Sequence, residues 1–388
     1  MFSRRTAWDL EANRVARALE EARASGRPLL DLAESNPTRC GLAWDAGELG
    51  RLLADGRLGS YEPEPLGLPE AREAVAAYLA GSGAPVSPER VVLAASTSEA
   101  YAHLLKLLCD PGDEVLFPAP CYPLLEVLAG LESASLARYR AAWDGDWDLD
   151  RAGLEAAAGP RARALVAVNP SVPTGARAGD AELDFLDRFC AARGIALVLD
   201  EVFSEGGTAA PARADPRALT FRLSGLSKAA GLPQVKLAWI AVGGPEALAA
   251  EALARLEVLA DCFLSASGPS QLALPRLLAR REGFLAPLRE RLGSNRRALA
   301  RAVPRGAPFD AFAGPAGWTG VLRVGETLDE ERLCLGLLEA GVAVQPGFFY
   351  DFPRNGHLVV SLLVRPAEFE EGLSRLVPRL EELSRPNG

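Results

Sequence analysis

The sequence predicts an α/β protein built on a mostly parallel sheet, and two observations support this prediction. Between residues 91 and 243, short apolar runs alternate with amphipathic stretches, which is the pattern of repeated β–α–β units. The runs are apolar almost throughout, as strands are when helices cover both faces of a parallel sheet. We therefore predict strands at residues 91–95, 114–117, 164–169, 195–200, 220–225 and 237–243.

The segment before these strands predicts two helices and two loops. An amphipathic stretch rich in Arg, Glu and Ala indicates a helix over Leu10–Ala24, and a Gly and a Pro follow it. A short apolar run then leads into the turn sequence ESNPTR at residues 34–39. The proline-rich residues 61–69 form a rigid loop that begins a second helix, which we expect to end near Leu79.

Helices are predicted between the strands and after them. Apolar residues at helical spacing indicate helices at residues 98–109, after Pro123 and at residues 181–193. Beyond the last strand of the sheet, stretches rich in Ala, Leu, Arg and Glu predict helices at residues 245–259 and onward to about residue 302. We expect the helices between the strands to cover the two faces of the sheet, and those after residue 245 to connect it to a smaller C-terminal unit.

The C-terminal part mixes strands and helices and so predicts a second, smaller α+β unit. Strands are expected at residues 318–324, 342–344 and 357–363, and helices at residues 333–340 and 368–383. The sequence GFFYDFP, between the second and third of these strands, is a loop dense in aromatic residues.

Composition and charge exclude several classes of protein. The net charge is −9, the pI is about 5.1 and the arginines form no basic runs, so no nucleic-acid partner is expected. No apolar run approaches the roughly 20 residues that cross a bilayer, and the N-terminus lacks a secretion signal, so we expect no membrane partner and a cytoplasmic location. Six dispersed cysteines without a CxxC pair, and only two histidines, predict no metal or disulfide framework.

Lysine is almost absent from the chain. Only Lys106, Lys228 and Lys236 stand among 42 basic residues, and the last two share the stretch LSGLSKAAGLPQVK. Arginine carries charge equally well but cannot form a Schiff base, whereas a lysine with a lowered pKa can. The stretch therefore predicts amine chemistry, and the alternative is that compositional bias left a few lysines at random.

Polar residues follow several predicted strands, at the edge where parallel sheets bind ligands. Ser96, Thr97 and Ser98 precede a helix, an arrangement that suits a phosphate but is also a common helix cap. Asp200 ends another strand, where a structural role and a functional role are equally good interpretations. Arg39, in the first turn, is either a solvated cation or an anion ligand.

These residues, in this order and spacing, resemble the fold type I pyridoxal-phosphate enzymes, and among them the class I and II aminotransferases. The resemblance implies a seven-stranded, mostly parallel sheet flanked by helices. It implies that Lys228 forms the Schiff base with pyridoxal 5′-phosphate, that Asp200 pairs with the pyridine nitrogen and that Tyr122 stacks on the ring. It also places at the cofactor Ser96, Thr97, Ser98, Asn169, Val172, Phe203, Ser227 and Lys236, and at the substrate Ser35, Asn36, Arg39 and Arg323.

The same resemblance implies a domain division and a partner. Residues 48–288 would form the large cofactor-binding domain, and residues 1–47 with 289–388 the small α+β domain. Tyr61 matches a tyrosine that reaches the phosphate of the neighbouring subunit. We therefore expect a homodimer with shared active sites.

Four positions depart from the family pattern. Val172 stands where the family has an asparagine and Phe203 where it has a tyrosine, and both of those residues normally hydrogen-bond the 3-oxygen of the cofactor. Lys236 replaces an arginine that forks onto the phosphate. Val359 stands where an arginine normally binds the substrate carboxylate. The sequence therefore predicts a cofactor site with altered polar contacts.

The arginine missing at Val359 leaves two possibilities for the substrate. Either another cation binds the carboxylate or the substrate is not an ordinary α-amino acid. The candidate cations, in order, are Arg39, Arg323 and Arg365.

The reaction that we predict is a ping-pong transfer of an amino group between an amino acid, or a related amine, and a 2-oxo acid, with Lys228 moving the proton. The first alternative is another reaction on the same fold, such as β-elimination by a C–S lyase, decarboxylation or condensation, because Val359 replaces the arginine. A non-enzymatic ligand-sensing domain is the remote alternative.

Overall fold

The structure is a computed structural model that describes residues 1–143, 147–204, 215–304 and 307–384. Within those residues the strands form one large sheet, one four-stranded sheet and one two-stranded pair. In chain order the strands are β1 Leu30–Asp31, β2 Val91–Ala94, β3 Glu114–Ala119, β4 Ser135–Trp143, β5 Trp147–Leu149, β6 Ala162–Val168, β7 Ala196–Asp200, β8 Thr220–Gly225, β9 Ala238–Gly243, β10 Asp310–Phe312, β11 Thr319–Arg323, β12 Val342–Ala343, β13 Gln345–Pro346 and β14 His357–Ser361.

Helices surround these sheets. The first begins at Arg14 and not at Leu10 as predicted, because the Asn13 side chain accepts a hydrogen bond from the Ala16 amide at 2.8 Å and fixes the start there. In chain order the helices are α1 Arg14–Ala24, α2 Ala46–Leu53, α3 Pro69–Gly81, α4 Thr97–Leu108, α5 Leu124–Leu131, α6 Arg151–Ala157, α7 Asp180–Arg193, α8 Leu226–Ala229, α9 Glu246–Asp261, α10 Gly268–Ala279, α11 Glu282–Ala302, α12 Glu330–Glu339 and α13 Pro366–Ser384.

The large sheet has the strand order β2-β9-β8-β7-β6-β3-β4-β5. Strand β9 is antiparallel to both of its neighbours and β5 is antiparallel to β4, while the remaining pairs are parallel. The prediction of a mostly parallel sheet flanked by helices is confirmed, with eight strands among the described residues where seven were expected. Strands β4 and β5 were not recognised from the sequence, because β4 lies near the sheet edge and carries exposed or half-buried arginines between its apolar residues.

The carboxyl ends of the parallel strands meet at one edge of this sheet. Ser96 follows β2, Tyr122 follows β3, Asn169 follows β6, Asp200 ends β7 and Lys228 follows β8. The topology therefore gathers at one edge five residues that lie far apart in sequence, which is where open α/β sheets bind ligands.

The small sheet is antiparallel, with the order β10-β11-β14-β13. Helices α11, α12 and α13 share an apolar core with it, and the parallel pair of β1 with β12 brings the N-terminal segment to the same unit. The sheet contacts the carboxyl edge of the large sheet through the loop after β6. The Thr319 hydroxyl donates to the carbonyl oxygen of Pro173 at 2.5 Å, and a Cβ at Gly175, where φ is +71°, would lie 2.2 Å from the Ala316 carbonyl oxygen. This close approach fixes the loop between the two sheets.

In the part of the chain that the structure describes, no helix combines the length and the apolarity that a bilayer span requires. Over the same residues, no three His, Cys, Asp or Glu side chains come together as a metal site would need.

Candidate active site

Lys228 lies in α8, directly after the central strand β8. Its Nζ is 4.4 Å from the ring centroid of Trp318 and 5.2 Å from that of Phe203, and the two rings meet edge to face. Burial lowers the pKa of Lys228 to about 8, and no neighbouring carboxylate in the described residues opposes that change. Near neutral pH, Lys228 therefore has a usable fraction of unprotonated, nucleophilic amine.

Asp200 ends β7, the strand next to β8, and each of its carboxylate oxygens accepts one hydrogen bond. The Val202 amide donates to Oδ1 at 3.0 Å, and the Tyr101 hydroxyl donates to Oδ2 at 2.8 Å. Burial raises the pKa of Asp200, and the two hydrogen bonds oppose the rise. Among the described residues, no cation forms an ion pair with this carboxylate. Because each oxygen has two lone pairs, Asp200 can accept a further hydrogen bond from a cation.

Asn169 is buried and lies beside Asp200. Its amide N–H donates to the Asp200 carbonyl oxygen at 2.9 Å, and its Oδ1 accepts from the Ala178 amide at 3.1 Å. Asn169 thereby fixes the start of the loop that ends at Gly175.

Three hydroxyl residues begin α4. The Ser96 side chain accepts from the Glu99 amide at 3.1 Å, and Thr97 and Ser98 are half-buried in the first turn. The free N–H groups of a helix start, together with the helix dipole, favour an anion at this position. The carboxylate of Glu99, in the same turn, accepts hydrogen bonds from the Ala95 amide and the Ser265 hydroxyl, each at 2.6 Å, and these fix its position.

Lys236 is exposed and adopts a left-handed backbone conformation with φ of 57°. Such a conformation is uncommon for a residue other than glycine and is frequent at binding sites. The segment around Ser270 joins it to the start of α4, because the Ser270 hydroxyl donates to the Val235 carbonyl oxygen at 2.5 Å and Ser265 bonds Glu99. Ser227, immediately before Lys228, is half-buried.

Three of the four departures from the family pattern meet in one place, which we call the valine cluster. Val172, from the loop after β6, packs with Val359 of β14 and with Phe203 from the segment after β7. None of these side chains can hydrogen-bond a cofactor or bind an anion, and burying an unpaired carboxylate among them would be costly. The full cluster consists of Val172, Val321, Tyr350 and Val359, with Val168, Phe203, Phe349 and Phe352 packed against it.

The three candidate cations differ in their surroundings. Arg323, at the end of β11, pairs with Asp310 across the edge of the small sheet at 2.5 Å. Arg365, just before α13, contacts Glu368 at 3.3 Å. Arg39 lies in the loop after β1, and its side chain is 69% exposed and contacts Glu34 at 3.3 Å. Arg39 is the most exposed of the three side chains, and its contact, like that of Arg365, is a long ion pair of an exposed arginine, of the kind that contributes little stability.

The loop that contains Ser35, Asn36 and Arg39 is anchored at both ends beside the site. Before it, the Ala33 carbonyl oxygen accepts from Gln345 Nε2 at 3.3 Å, and Gln345 in turn accepts from the hydroxyl of Tyr350 in the valine cluster. After it, Trp44 Nε1 donates to the carbonyl oxygen of Ala230 at 2.7 Å, two residues beyond Lys228. The loop therefore spans from the valine cluster to the helix of Lys228. Within it, Ser35 is exposed, and the Asn36 side chain accepts hydrogen bonds from Thr38.

The two tyrosines predicted at the cofactor are both exposed. Tyr122 is 57% exposed, and the residue before it, Cys121, donates its amide to the Tyr350 carbonyl oxygen at 2.8 Å. Tyr61 is 78% exposed and lies in a surface groove with Leu264 and Leu272. Tyr122 thus borders the valine cluster, whereas no described contact joins Tyr61 to Lys228 of the same chain.

Two residues of the site, Tyr101 and Trp318, were not identified from the sequence. Trp318 immediately precedes β11, and its sequence position is typical of a core residue of the small sheet. The position of Tyr101 is likewise typical of a core residue of α4. The one available signal is that Tyr101 follows Ser98 by three residues, so that it lies on the same face of the helix as the hydroxyl turn.

Known proteins share this architecture. The family model for aminotransferase class I and II matches residues 30–376. Among relatives, glutamate-pyruvate aminotransferase AlaA of Escherichia coli K12 is 26% identical over 330 residues, which are 80% of each chain. The aspartate/prephenate aminotransferase of Thermus thermophilus is 29% identical over 335 residues, 84% of each chain.

Solved structures show the same fold. The alanine aminotransferase of Pyrococcus furiosus superposes with a TM-score of 0.89 at 21% identity, over 98% of this chain and 100% of that one. Together with the match of the family model, which extends over most of the chain, these likenesses settle the family. The chain belongs to the class I and II aminotransferases.

Proposed function

We propose that this aminotransferase uses pyridoxal 5′-phosphate and moves an amino group from an amino acid to a 2-oxo acid, with Lys228 bonded to the cofactor. The observation that supports this most is a pair of half-buried, uncompensated groups. Asp200 and Lys228 leave the ends of adjacent strands, and neither has an ion-pair partner among the described residues. Pyridoxal phosphate fits both, because its ring nitrogen can be protonated beside a carboxylate and its aldehyde reacts with an amine.

The bound cofactor would supply an electron sink for the substrate carbanion. Asp200 would keep the ring nitrogen protonated, because the two hydrogen-bond donors help this half-buried carboxylate to remain ionised. The free amine of Lys228, with a pKa of about 8, suits a residue that takes a proton from the substrate Cα and returns it.

The remaining predicted residues would position the cofactor. The start of α4 would hold the phosphate through its hydroxyls and N–H groups, because a helix N-terminus favours an anion. Tyr122, exposed at the edge of the site, would cover one face of the ring. The residues that we assign to the phosphate are Ser96, Thr97, Ser98, Ser227 and Lys236.

We further propose that two chains share their sites. Tyr61 and neighbouring large apolar side chains are exposed in the single chain, and such patches commonly mark protein interfaces. The groove around Tyr61 includes Leu58, Leu264 and Leu272. Light scattering of the purified protein should give a mass of twice 41.1 kDa, and Tyr61→Phe should weaken cofactor binding without changing that mass. We also retain the predicted division into residues 48–288 and residues 1–47 with 289–388 as a proposal.

For the carboxylate, we propose that Arg39 replaces the arginine missing at Val359. The valine cluster has no charge to offer, whereas the Arg39 loop is anchored between that cluster and the helix of Lys228. Arg39→Ala should therefore raise KM for an α-amino acid donor roughly 10- to 100-fold, the loss of a charge-assisted hydrogen bond, with a smaller effect on kcat. Arg323→Ala is the matched control and should leave KM unchanged. Equal effects of the two substitutions on KM would refute the role of Arg39.

Val172 and Phe203 replace the two residues that normally hydrogen-bond the 3-oxygen of the cofactor. We therefore predict that the Lys228 nitrogen, once bonded to the cofactor, is more basic than in standard family members. Phe203→Tyr restores one donor beside Lys228, so we expect it to lower the pKa of that nitrogen by about 1. Absorbance against pH measures this pKa. Phe352→Tyr adds a hydroxyl near the valine cluster, where Phe352 stacks on His357 at 4.2 Å, and serves as control. A bonded nitrogen already deprotonated at neutral pH in the wild type would contradict the prediction.

Product analysis tests the reaction itself. With glutamate, alanine or aspartate as donor and a 2-oxo acid as acceptor, aminotransfer yields one new amino acid for each new 2-oxo acid. The donors are chosen because the relatives are named for glutamate-pyruvate and aspartate/prephenate transfer. Release of ammonia with pyruvate would instead establish elimination, and release of carbon dioxide would establish decarboxylation.

A further inference from the structure

We propose that Tyr101 is a positioning residue for the reaction, whose hydroxyl holds the Asp200 carboxylate ionised and oriented toward the ring nitrogen of the cofactor. The inference rests on the proposed function and adds to it a residue outside the set predicted from the sequence. Helix α4 would then position both the phosphate end of the cofactor site, through its first turn, and the Asp200 end, through Tyr101.

The geometry of α4 supports this role. Its first turn presents the hydroxyls of Thr97 and Ser98, and Tyr101 follows within one turn, roughly 5 Å along the axis. The Tyr101 side chain is buried in the apolar layer between α4 and the sheet, and its hydroxyl donates to Asp200 Oδ2 at 2.8 Å. A buried tyrosine hydroxyl needs a partner, and here the partner is the carboxylate itself. The same rigid helix therefore fixes the phosphate end and the carboxylate end.

The hydrogen bond from Tyr101 affects the charge state of Asp200. Burial raises the pKa of Asp200 and thus favours its neutral form, and the hydrogen bond from Tyr101 is the first of the effects that oppose the rise. Burial and the nearby carboxylate raise the pKa of Tyr101 well above its ordinary value, so the hydroxyl stays protonated and keeps donating. Without it, the carboxylate would retain one donor and would protonate more readily, and a neutral acid cannot hold a proton on the ring nitrogen.

Other titratable groups near Asp200 do not replace Tyr101. Burial raises the pKa of the Cys121 thiol to about 12, so it remains neutral at physiological pH. Glu201, the next residue, pairs with Arg222 at 2.9 Å, and this ion pair compensates its charge. Within the described ranges, Tyr101 is thus the side chain that stabilises the charge of Asp200 before any ligand binds.

The test compares two single-hydroxyl deletions. Tyr101→Phe removes the donor to Asp200, and Tyr139→Phe removes an equally buried hydroxyl that donates to the Val166 carbonyl oxygen at the same distance, 2.8 Å. We expect Tyr101→Phe to weaken binding of pyridoxal phosphate to the cofactor-free protein about 10-fold and to lower kcat, with the KM of the donor unchanged. Tyr139→Phe should leave all three unchanged, although both substitutions lower the melting temperature.

A double-mutant cycle with Asp200→Asn shows whether Tyr101 acts through Asp200. If it does, Tyr101→Phe has little further effect on cofactor affinity or kcat in the Asp200→Asn background. Full additivity of the two substitutions, or equal effects of Tyr101→Phe and Tyr139→Phe on cofactor affinity and kcat, would overturn this inference alone. A wild-type protein that binds no pyridoxal phosphate would overturn the proposed function, and this inference with it.

Discussion

Replacing Lys228 with alanine should abolish amino-group transfer while leaving the fold intact. The substitution removes both the amine that bonds the cofactor and the group that moves the proton, so we expect kcat to fall by at least about 10,000-fold. The fold should be no less stable at pH 7, because burial lowers the pKa of this amine and makes its charged form unfavourable there. Steady-state kinetics and a thermal melt of the same preparation measure the two effects.

Two further variants serve as controls, one that keeps the positive charge at position 228 and one that removes a different lysine. Lys228→Arg keeps a cation between the rings of Phe203 and Trp318 but cannot form the bond, so it should be as inactive as the alanine variant. Lys106→Ala removes a lysine that pairs with Glu132 away from the carboxyl edge, and it should retain full activity. Substantial transfer by either Lys228 variant would mean that Lys228 is not the cofactor lysine.

Replacing Asp200 with asparagine should lower kcat roughly 100- to 1,000-fold, the cost of removing one preorganised electrostatic contact from an active site. Asparagine fits the local hydrogen bonds, because its Oδ1 can accept from the Val202 amide while its Nδ2 donates to the Tyr101 hydroxyl, which can also act as acceptor. Only the charge is lost. Kinetics with saturating cofactor measure the effect on kcat.

The melting temperature shows whether the fall in kcat of Asp200→Asn comes from the lost charge or from unfolding. Partial burial raises the pKa of Asp200, so the wild-type fold gains stability as Asp200 is protonated at lower pH, and at pH 7 it contains a carboxylate whose charged form is unfavourable there. The cofactor-free Asp200→Asn protein should accordingly melt at the same temperature as the wild type, or higher. A large fall in melting temperature, with kcat preserved in the folded fraction, would make Asp200 a structural residue.

The grouping of many candidate site residues could be predicted because these residues come at strand ends. Asp200 ends an unbroken apolar run, and Lys228 comes shortly after a second predicted strand. The parallel arrangement of these two strands brings their carboxyl ends to one edge. The order of the predicted strands, and the polar residue after each of them, was therefore sufficient to predict that Asp200 and Lys228 lie close together. The same logic failed for β4, where Arg138 and Arg140 interrupt the apolar pattern.

Contacts between distant segments could not be predicted in the same way. Helical spacing shows that Tyr101 lies on the buried face of α4, but not that its hydroxyl meets a residue 99 positions later. Val172, Phe203 and Val359 were each recognised as departures from the family pattern, yet only the packing of the small sheet on the loop after β6 shows that they form one cluster. The absence of polar side chains at this place is accordingly a property of the cluster and not of any one residue.

The most direct test of the whole account is the absorption spectrum of the purified protein, recorded while single amino acids and then a 2-oxo acid are added. We expect the band of the bound cofactor to disappear with at least one amino donor and to return when the 2-oxo acid is added, with no such band in the Lys228→Ala protein. A wild-type protein without that band, or with a band that no donor changes reversibly, would contradict the claim that this chain is a pyridoxal-phosphate aminotransferase.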